Sequence, residues 1–173
     1  MTSEPSQLEA QGRQAFGNNK FDEAAEYFRQ AAEGYTLGRA GLNAAEMMNN
    51  VSVALLQAGK PQKALDAALG TDQIFENAKD IKRQARALGN QAAALEGLNR
   101  FDEAIEKYER SADLFRQAGE GDLRAMVMKS AAAIKLKTGR VTESAFKMMG
   151  SLDAKETPGL FERILKFLLK FIK

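Results

Sequence analysis

Apolar residues recur along this chain at spacings of three and four, as in Leu88, Ala92 and Leu95, then Ile105, Tyr108 and Ala112, with polar residues between them. That period lines one stripe of a helix; a strand would alternate. The stripes also repeat. Shifting the sequence against itself by forty residues aligns four copies without a gap, so that "NKFDEAAEYF" at 19–28 returns as "NRFDEAIEKY" at 99–108. Leu8, Met48, Leu88 and Met128 share one apolar column; Phe28, Ala68, Tyr108 and Met148 share another; Tyr35, Phe75 and Phe115 extend the second stripe. A fixed period of this kind predicts a solenoid, in which each unit buries its apolar face only against its neighbours.

Each unit reads as two helices. Asn19, Gly59, Asn99 and Gly139 mark the turn between them, because Asn and Gly adopt a left-handed backbone at low cost. Phe21, Pro61, Phe101 and Val141 follow in one column, with Pro61 suited to a first helical turn and Asp22, Asp102 and Thr142 of N-cap type. The columns Gly12/Ser52/Ala92/Ala132 and Ala24/Ala64/Ala104/Ser144 are small, which lets paired helices approach closely. Met48, Met128 and Met148 fall on core columns and are expected as packing; Met126 is the exception.

Composition then narrows the chemistry. Hydrophobic residues are 45% and charged residues 28% of 173, a balance that predicts one folded domain rather than disorder. With 25 basic and 23 acidic residues the formal charge is +2, too small for the electrostatic footprint of a nucleic-acid binder. The chain has no cysteine and no histidine. Disulfides, thiolate nucleophiles, the usual zinc ligands and the usual base near neutral pH are thereby removed. The adjacent carboxylates of "FDEA", Asp22/Glu23 and Asp102/Glu103, diverge around a helix and cannot act as an acid–base pair; they read as charges favouring a helix start. "GRAG" and "GEGD" lack the Lys-Ser/Thr of a phosphate cradle. No catalytic residue, metal site or cofactor is expected. The polar start "MTSEPSQLEAQG" reads as neither secretory signal nor transit peptide, so a cytoplasmic location is expected.

A small residue on the first helix, an aromatic after the turn, "DEA", and an aromatic four residues after that Ala together resemble the tetratricopeptide repeat (TPR) family in a forty-residue variant. The resemblance spans roughly residues 7–150 and is weakest in the fourth copy, where Lys135 stands in the column of Ala15, Leu55 and Leu95. It implies an all-α fold: a right-handed α-solenoid of four TPR-like hairpins over 7–156, after a flexible start at 1–6. It also implies a non-catalytic interaction adaptor holding a peptide or protein segment in a concave trough walled by the first helices. Carried over by alignment, the trough is lined by Arg13, Asn50, Val53, Gln57, Arg86, Asn90, Ala93 and Lys129, with Lys137 beyond them; Met126 aligns with it too. In forty-residue units an Asn at the column of Asn50 and Asn90 bonds the backbone of a bound peptide, or else is a solvated amide. One TPR subset clamps a chaperone's terminal carboxylate with Lys and Asn; here Glu9 stands where a Lys is needed and would repel it, so that clamp is not expected.

The last stretch, "TPGLFERILKFLLKFIK" at 157–173, predicts an amphipathic helix capped by Thr157 with Pro158 in its first turn. Leu160, Phe161, Ile164, Leu165, Phe167, Leu168, Leu169, Phe171 and Ile172 share an arc of roughly 200°, about twice the width a helix on one surface needs. Three readings are open: a cap on the solenoid's end, insertion into its own or a neighbour's trough to give a homo-oligomer, and an anchor at the periphery of a membrane. Such a membrane-associated or self-associating protein is the alternative to the adaptor reading.

Overall fold

The structure, a computed structural model, describes residues 4–139. The chain divides into two compact units, Met1–Ile134 and Lys135–Lys173, and only Lys135–Gly139 of the second is described. Every element among the described residues is an α-helix. The first hairpin is α1 (Pro5–Gly17) with α2 (Phe21–Leu37). The second is α3 (Gly41–Gln57) with α4 (Pro61–Ala68) and α5 (Thr71–Asn77), and the third is α6 (Ile81–Gly97) with α7 (Phe101–Gln117). α8 (Gly121–Lys137) opens the fourth. Helix starts recur every forty residues, at 21, 61 and 101 and at 41, 81 and 121, so the register read from the sequence is the register of this α-solenoid.

The turns explain that regularity. Asn19, Gly59, Asn99 and Gly139 all have positive φ, between 59° and 72°, as the turn column predicts. Each full hairpin turn then closes with a bond from the next N–H back to the last turn of the helix: Lys20 N to Ala15 O, Lys60 N to Leu55 O and Arg100 N to Leu95 O, all 2.9 Å. The connections between hairpins use the same geometry at Arg39 (φ 58°), Lys79 (φ 58°) and Gly119 (φ 73°). Two of those three are not glycine and gave no turn signal in the sequence.

The small columns are the contact seam. Ala24, Ala64, Ala92 and Ala104 have no exposed surface, and Ser52 has almost none. At Gly12 an added Cβ would lie 2.7 Å from the Phe28 ring, so only glycine lets α1 sit this close to α2. Phe75 and Phe115, fully buried, fill the space between hairpins, with Arg83 over the Phe75 ring at 5.2 Å from its centroid.

Several expectations need correction. Helix α1 starts at Pro5, inside the stretch expected to be flexible, and the ring of Pro5 packs against the open face of Gly34. Asp22 and Asp102 are not caps: their helices begin one residue earlier, at Phe21 and Phe101, and the carboxylates sit in the first turn, where the dipole favours them. Among α1–α7 the side-chain N-cap is Asp80, whose Oδ1 accepts from Arg83 N at 3.0 Å. Met128 is exposed, so the core role expected of its column fails on α8, as does the buried small position at Ala132. The second helix of the second hairpin is broken. Gly70 takes a left-handed φ of 80° between α4 and α5 where the first and third copies have Gln30 and Arg110, and the break is held by side chains; Gly150 of the fourth copy lies outside the described residues. Ala68 O accepts from Thr71 Oγ1 at 2.7 Å and from Gln91 Nε2 at 3.0 Å; Gln91 Nε2 also donates to Asp72 Oδ1 at 2.8 Å. Val141, Thr142, Ser144, Met148 and the tail residues Leu160, Phe161, Ile164, Leu165, Phe167, Leu168, Leu169, Phe171 and Ile172 lie outside the described residues.

Candidate functional site

The first helix of each unit presents to one side the residues that do not pack on its own second helix. Two open pockets form on this face. The first, about 260 Å³, lies between α1, α2 and α3 and is lined by Arg13, Phe16, Phe28, Asn50 and Val53. The second, about 310 Å³, takes Arg86, Gly89, Asn90 and Ala93 from α6, Tyr108 and Phe115 from α7, and Leu123, Met126, Val127 and Ser130 from α8. Of the positions expected in the trough, Arg13, Asn50 and Val53 thus meet in one pocket and Arg86, Asn90 and Ala93 in the other. Gln57 and Lys129 are exposed and line neither. Lys137 is exposed and belongs to the second unit.

The aromatic floors were missed by the sequence reading. Phe28 and Tyr108 were assigned to packing, and they are buried, yet one edge of each closes a pocket from below. The signal was present: Phe28 and Tyr108 are eighty residues apart, as are Asn50 and Ser130, and Arg13 and Ala93, so the two pockets occupy the same place in the repeat.

The two arginines that line the pockets are already paired. Arg13 Nη2 lies 2.6 Å from Glu9 Oε1, and Glu9 also accepts from the Tyr35 hydroxyl at 3.1 Å. Arg86 Nη1 lies 3.0 Å from Glu46 Oε1 on the preceding first helix. Such half-exposed pairs add little stability, but they cancel the positive field that an anionic ligand would need. Tyr108 donates to Glu96 Oε2 at 2.9 Å; burial first, then the Glu96 charge, push its hydroxyl well above the usual tyrosine range, so it is a neutral wall of the second pocket. The amides of Asn50 and Asn90 are half-buried in the same column and have no hydrogen-bond partner among the described residues. The two pockets therefore offer apolar depressions, uncharged amides and balanced ion pairs. Among the described residues no group of His, Cys, Asp or Glu is placed to hold a metal ion.

Comparison with known proteins places this geometry. The family model for soluble NSF attachment proteins (SNAP) matches residues 17–151, more than three quarters of the chain. The chain belongs to the SNAP family. Its helical hairpin repeats are consistent with a TPR-like architecture, and the family shown is SNAP. The SNAP family consists of helical protein-interaction adaptors, which gives this chain its class. A search of curated proteins finds no match. Among the described residues of this SNAP-family chain, no helix is long and apolar enough to cross a membrane.

Proposed function

We propose that this SNAP-family chain is a non-catalytic adaptor that holds a segment of a protein partner against the trough formed by its first helices. The carrying observation is the recurrence of one pocket at two equivalent places on that face, with Asn50 lining the first from α3 and Asn90 lining the second from α6. Family membership supports it, since the family is named for attachment of one protein to another. The domain organisation we propose is a solenoid from Pro5 to about residue 156 followed by the amphipathic helix at 157–173.

The reading is tested with twelve-residue peptides selected by display against the full chain and then titrated into labelled protein by NMR. Backbone amide shifts are expected to concentrate on α3 and α6 around Asn50, Val53, Asn90 and Ala93. The double change Asn50→Ala, Asn90→Ala should weaken binding by about tenfold, from two lost hydrogen bonds of roughly 0.5–1.5 kcal/mol each. Shifts confined to the outward positions Glu26, Asp66 and Glu106 would remove the trough from consideration.

A second reading is carried by the wide apolar arc of residues 160–172, which attaches the chain to a membrane surface or to its own copy. Truncation before Thr157 separates the outcomes. Liposome flotation lost on truncation supports the surface, a change from oligomer to monomer supports self-association, and neither change dismisses both.

A further inference from the structure

We infer that Met126 is an oxidation site and that its sulfoxide, bonded by Arg86, closes the second pocket to apolar side chains. The effect on partner binding rests on the trough reading above; the modification and its Arg86 contact do not.

Met126 is the odd member of its column. Ser6, Glu46, Arg86 and Met126 share one position of the repeat, and Glu46 and Arg86 meet there as an ion pair at 3.0 Å between α3 and α6. Those two hold charges in contact with water. Met126 holds a thioether there instead, 60% exposed while lining a pocket whose apolar surface comes from Phe115, Leu123 and Val127. The chain has no cysteine and no tryptophan, so methionine carries all of its sulfur and is the side chain that a peroxide oxidises. Exposure then selects among the described methionines. Met47 is 2% exposed and Met48 is half-buried, whereas Met126 and Met128 are open; Met126 lines the pocket and Met128 does not.

The oxidant is a hydrogen peroxide. A lone pair of the Met126 sulfur attacks one peroxide oxygen, and the O–O bond breaks as the S–O bond forms. The departing hydroxide takes the proton that the transferred oxygen loses and leaves as water. The thioether is oxidised by two electrons and the peroxide reduced by two, and methionine sulfoxide reductases reverse the change.

Arg86 is placed to receive the product. Helix α8 lies directly beside α6: Lys82 Nζ is 2.6 Å from Glu120 Oε1, and an added Cβ at Gly89 would lie 3.7 Å from Val127 Cγ1. The forty-residue offset that sets Glu46 against Arg86 from α3 sets Met126 against it from α8, and Arg86 and Met126 line the same pocket. Arg86 gives Nη1 to Glu46, and a guanidinium carries five N–H donors, so others remain. A thioether sulfur accepts weakly, whereas a sulfoxide oxygen takes a charge-assisted bond from a guanidinium. A flexible apolar wall thereby becomes a polar bridge. An apolar side chain entering beside it would have to break that bond or bury it without water, and either costs binding. The first pocket, lined by Arg13, Phe16, Phe28, Asn50 and Val53, contains no methionine, so oxidation acts on one of the two equivalent pockets.

The test treats the full chain with graded hydrogen peroxide and quantifies sulfoxide at each methionine by peptide mass mapping. Met126 and Met128 should convert first and Met47 last; Met126 converting no faster than Met47 would overturn the site. By NMR, the Arg86 Nε–Hε signal should shift on oxidation of the wild type and stay in place on oxidation of Met126→Leu. A signal unmoved in both would overturn Arg86 as the sulfoxide's partner. Affinity for the display-selected peptides is then compared before and after treatment within each protein. It should fall about tenfold in the wild type, return with methionine sulfoxide reductase, and hold in Met126→Leu, whose Met128 still oxidises. An equal loss in Met126→Leu would put the effect at another methionine and overturn the closure, as would unchanged affinity in wild type whose Met126 is fully converted. Peptides whose amide shifts map away from the trough would sink the trough reading, while the site itself is decided by the mass map and the Arg86 signal.

Discussion

Two glycines on equivalent first helices should respond to alanine with opposite signs. In α1, alanine at position 12 brings a Cβ to 2.7 Å from both Cδ1 and Cε1 of Phe28, a contact real methyl groups do not make. Phe28 is almost fully buried and cannot swing into solvent, so either the ring leaves its rotamer or α1 and α2 move apart. Overpacking of this kind costs about 1–3 kcal/mol. Against it stands the helix-propensity gain of alanine over glycine, about 0.8–1 kcal/mol, which leaves a net loss of up to about 2 kcal/mol. In α6, alanine at position 89 meets Ser111 Oγ at 3.4 Å and Val127 Cγ1 at 3.7 Å, which are ordinary contacts. The propensity gain survives there, and Gly89→Ala should stabilise by about 0.5–1 kcal/mol. Urea unfolding followed by circular dichroism at 222 nm measures both, with the slope checked for constancy so that midpoints report stability. A Gly12→Ala protein as stable as Gly89→Ala would show that the seam is plastic and refute close approach as the reason for the small column.

Lys79 holds a left-handed φ of 58° with no glycine, so Lys79→Gly should raise stability by about 0.5–1 kcal/mol in the same urea assay, relief of backbone strain outweighing the entropy added to the unfolded chain. Asp80→Ala should cost about 1 kcal/mol through loss of the α6 cap. Burial alone would raise the Asp80 carboxyl, but the Arg83 N–H and the Arg83 and Arg86 charges bring it below the usual range. Its contribution is therefore present above the ordinary Asp value near 3.9 and is lost as pH falls through the lower folded one, and the gap between wild type and Asp80→Ala should close over that interval of an acid titration. Gln91→Glu places a carboxylate in a buried site beside Asp72, which already accepts from Gln91, and should cost about 3 kcal/mol at neutral pH with partial recovery in acid; an unchanged urea midpoint at pH 7 would mean that position 91 reaches water.

The hairpin register was legible because it is a matter of repeated volume. Phe28 and Tyr108, or Gly12 and Ala92, announce their roles by recurring at a fixed offset, and burial follows from that recurrence. What stayed hidden has no residue signal shared by all copies. The left-handed turns at Arg39 and Lys79 are enforced by the helices on either side and not by the residue's own preference, and the break at Gly70 aligns with Gln30 and Arg110 in the two other described second helices, which are continuous there. The pocket floors were hidden for a different reason. A column of aromatics satisfies the requirements of a core, and nothing in spacing distinguishes a ring covered on every side from one with an edge left open.

The break in the second hairpin links these observations. A continuous second helix would carry its backbone hydrogen bonds through position 70, as the first and third hairpins do through Gln30 and Arg110. Here the chain turns at Gly70, and Ala68 O is bonded from two directions, by Thr71 of its own hairpin and by Gln91 of the next. Gln91 Nε2 thereby ties α6 to the end of α4 and, through Asp72, to the start of α5, while its Oε1 stays buried with no partner in the structure. Leaving an acceptor unsatisfied costs about 1–3 kcal/mol, so the arrangement is maintained against a penalty that an apolar residue would avoid. Val51 and Ala131 occupy that column in the neighbouring first helices and pack with no such penalty, both being buried. Among the three described hairpins, the polar residue stands at the step where the second helix is broken and the aromatic floor is absent. The two departures from the repeat thus coincide, and together they divide the first-helix face into two equivalent pockets with a different surface between them.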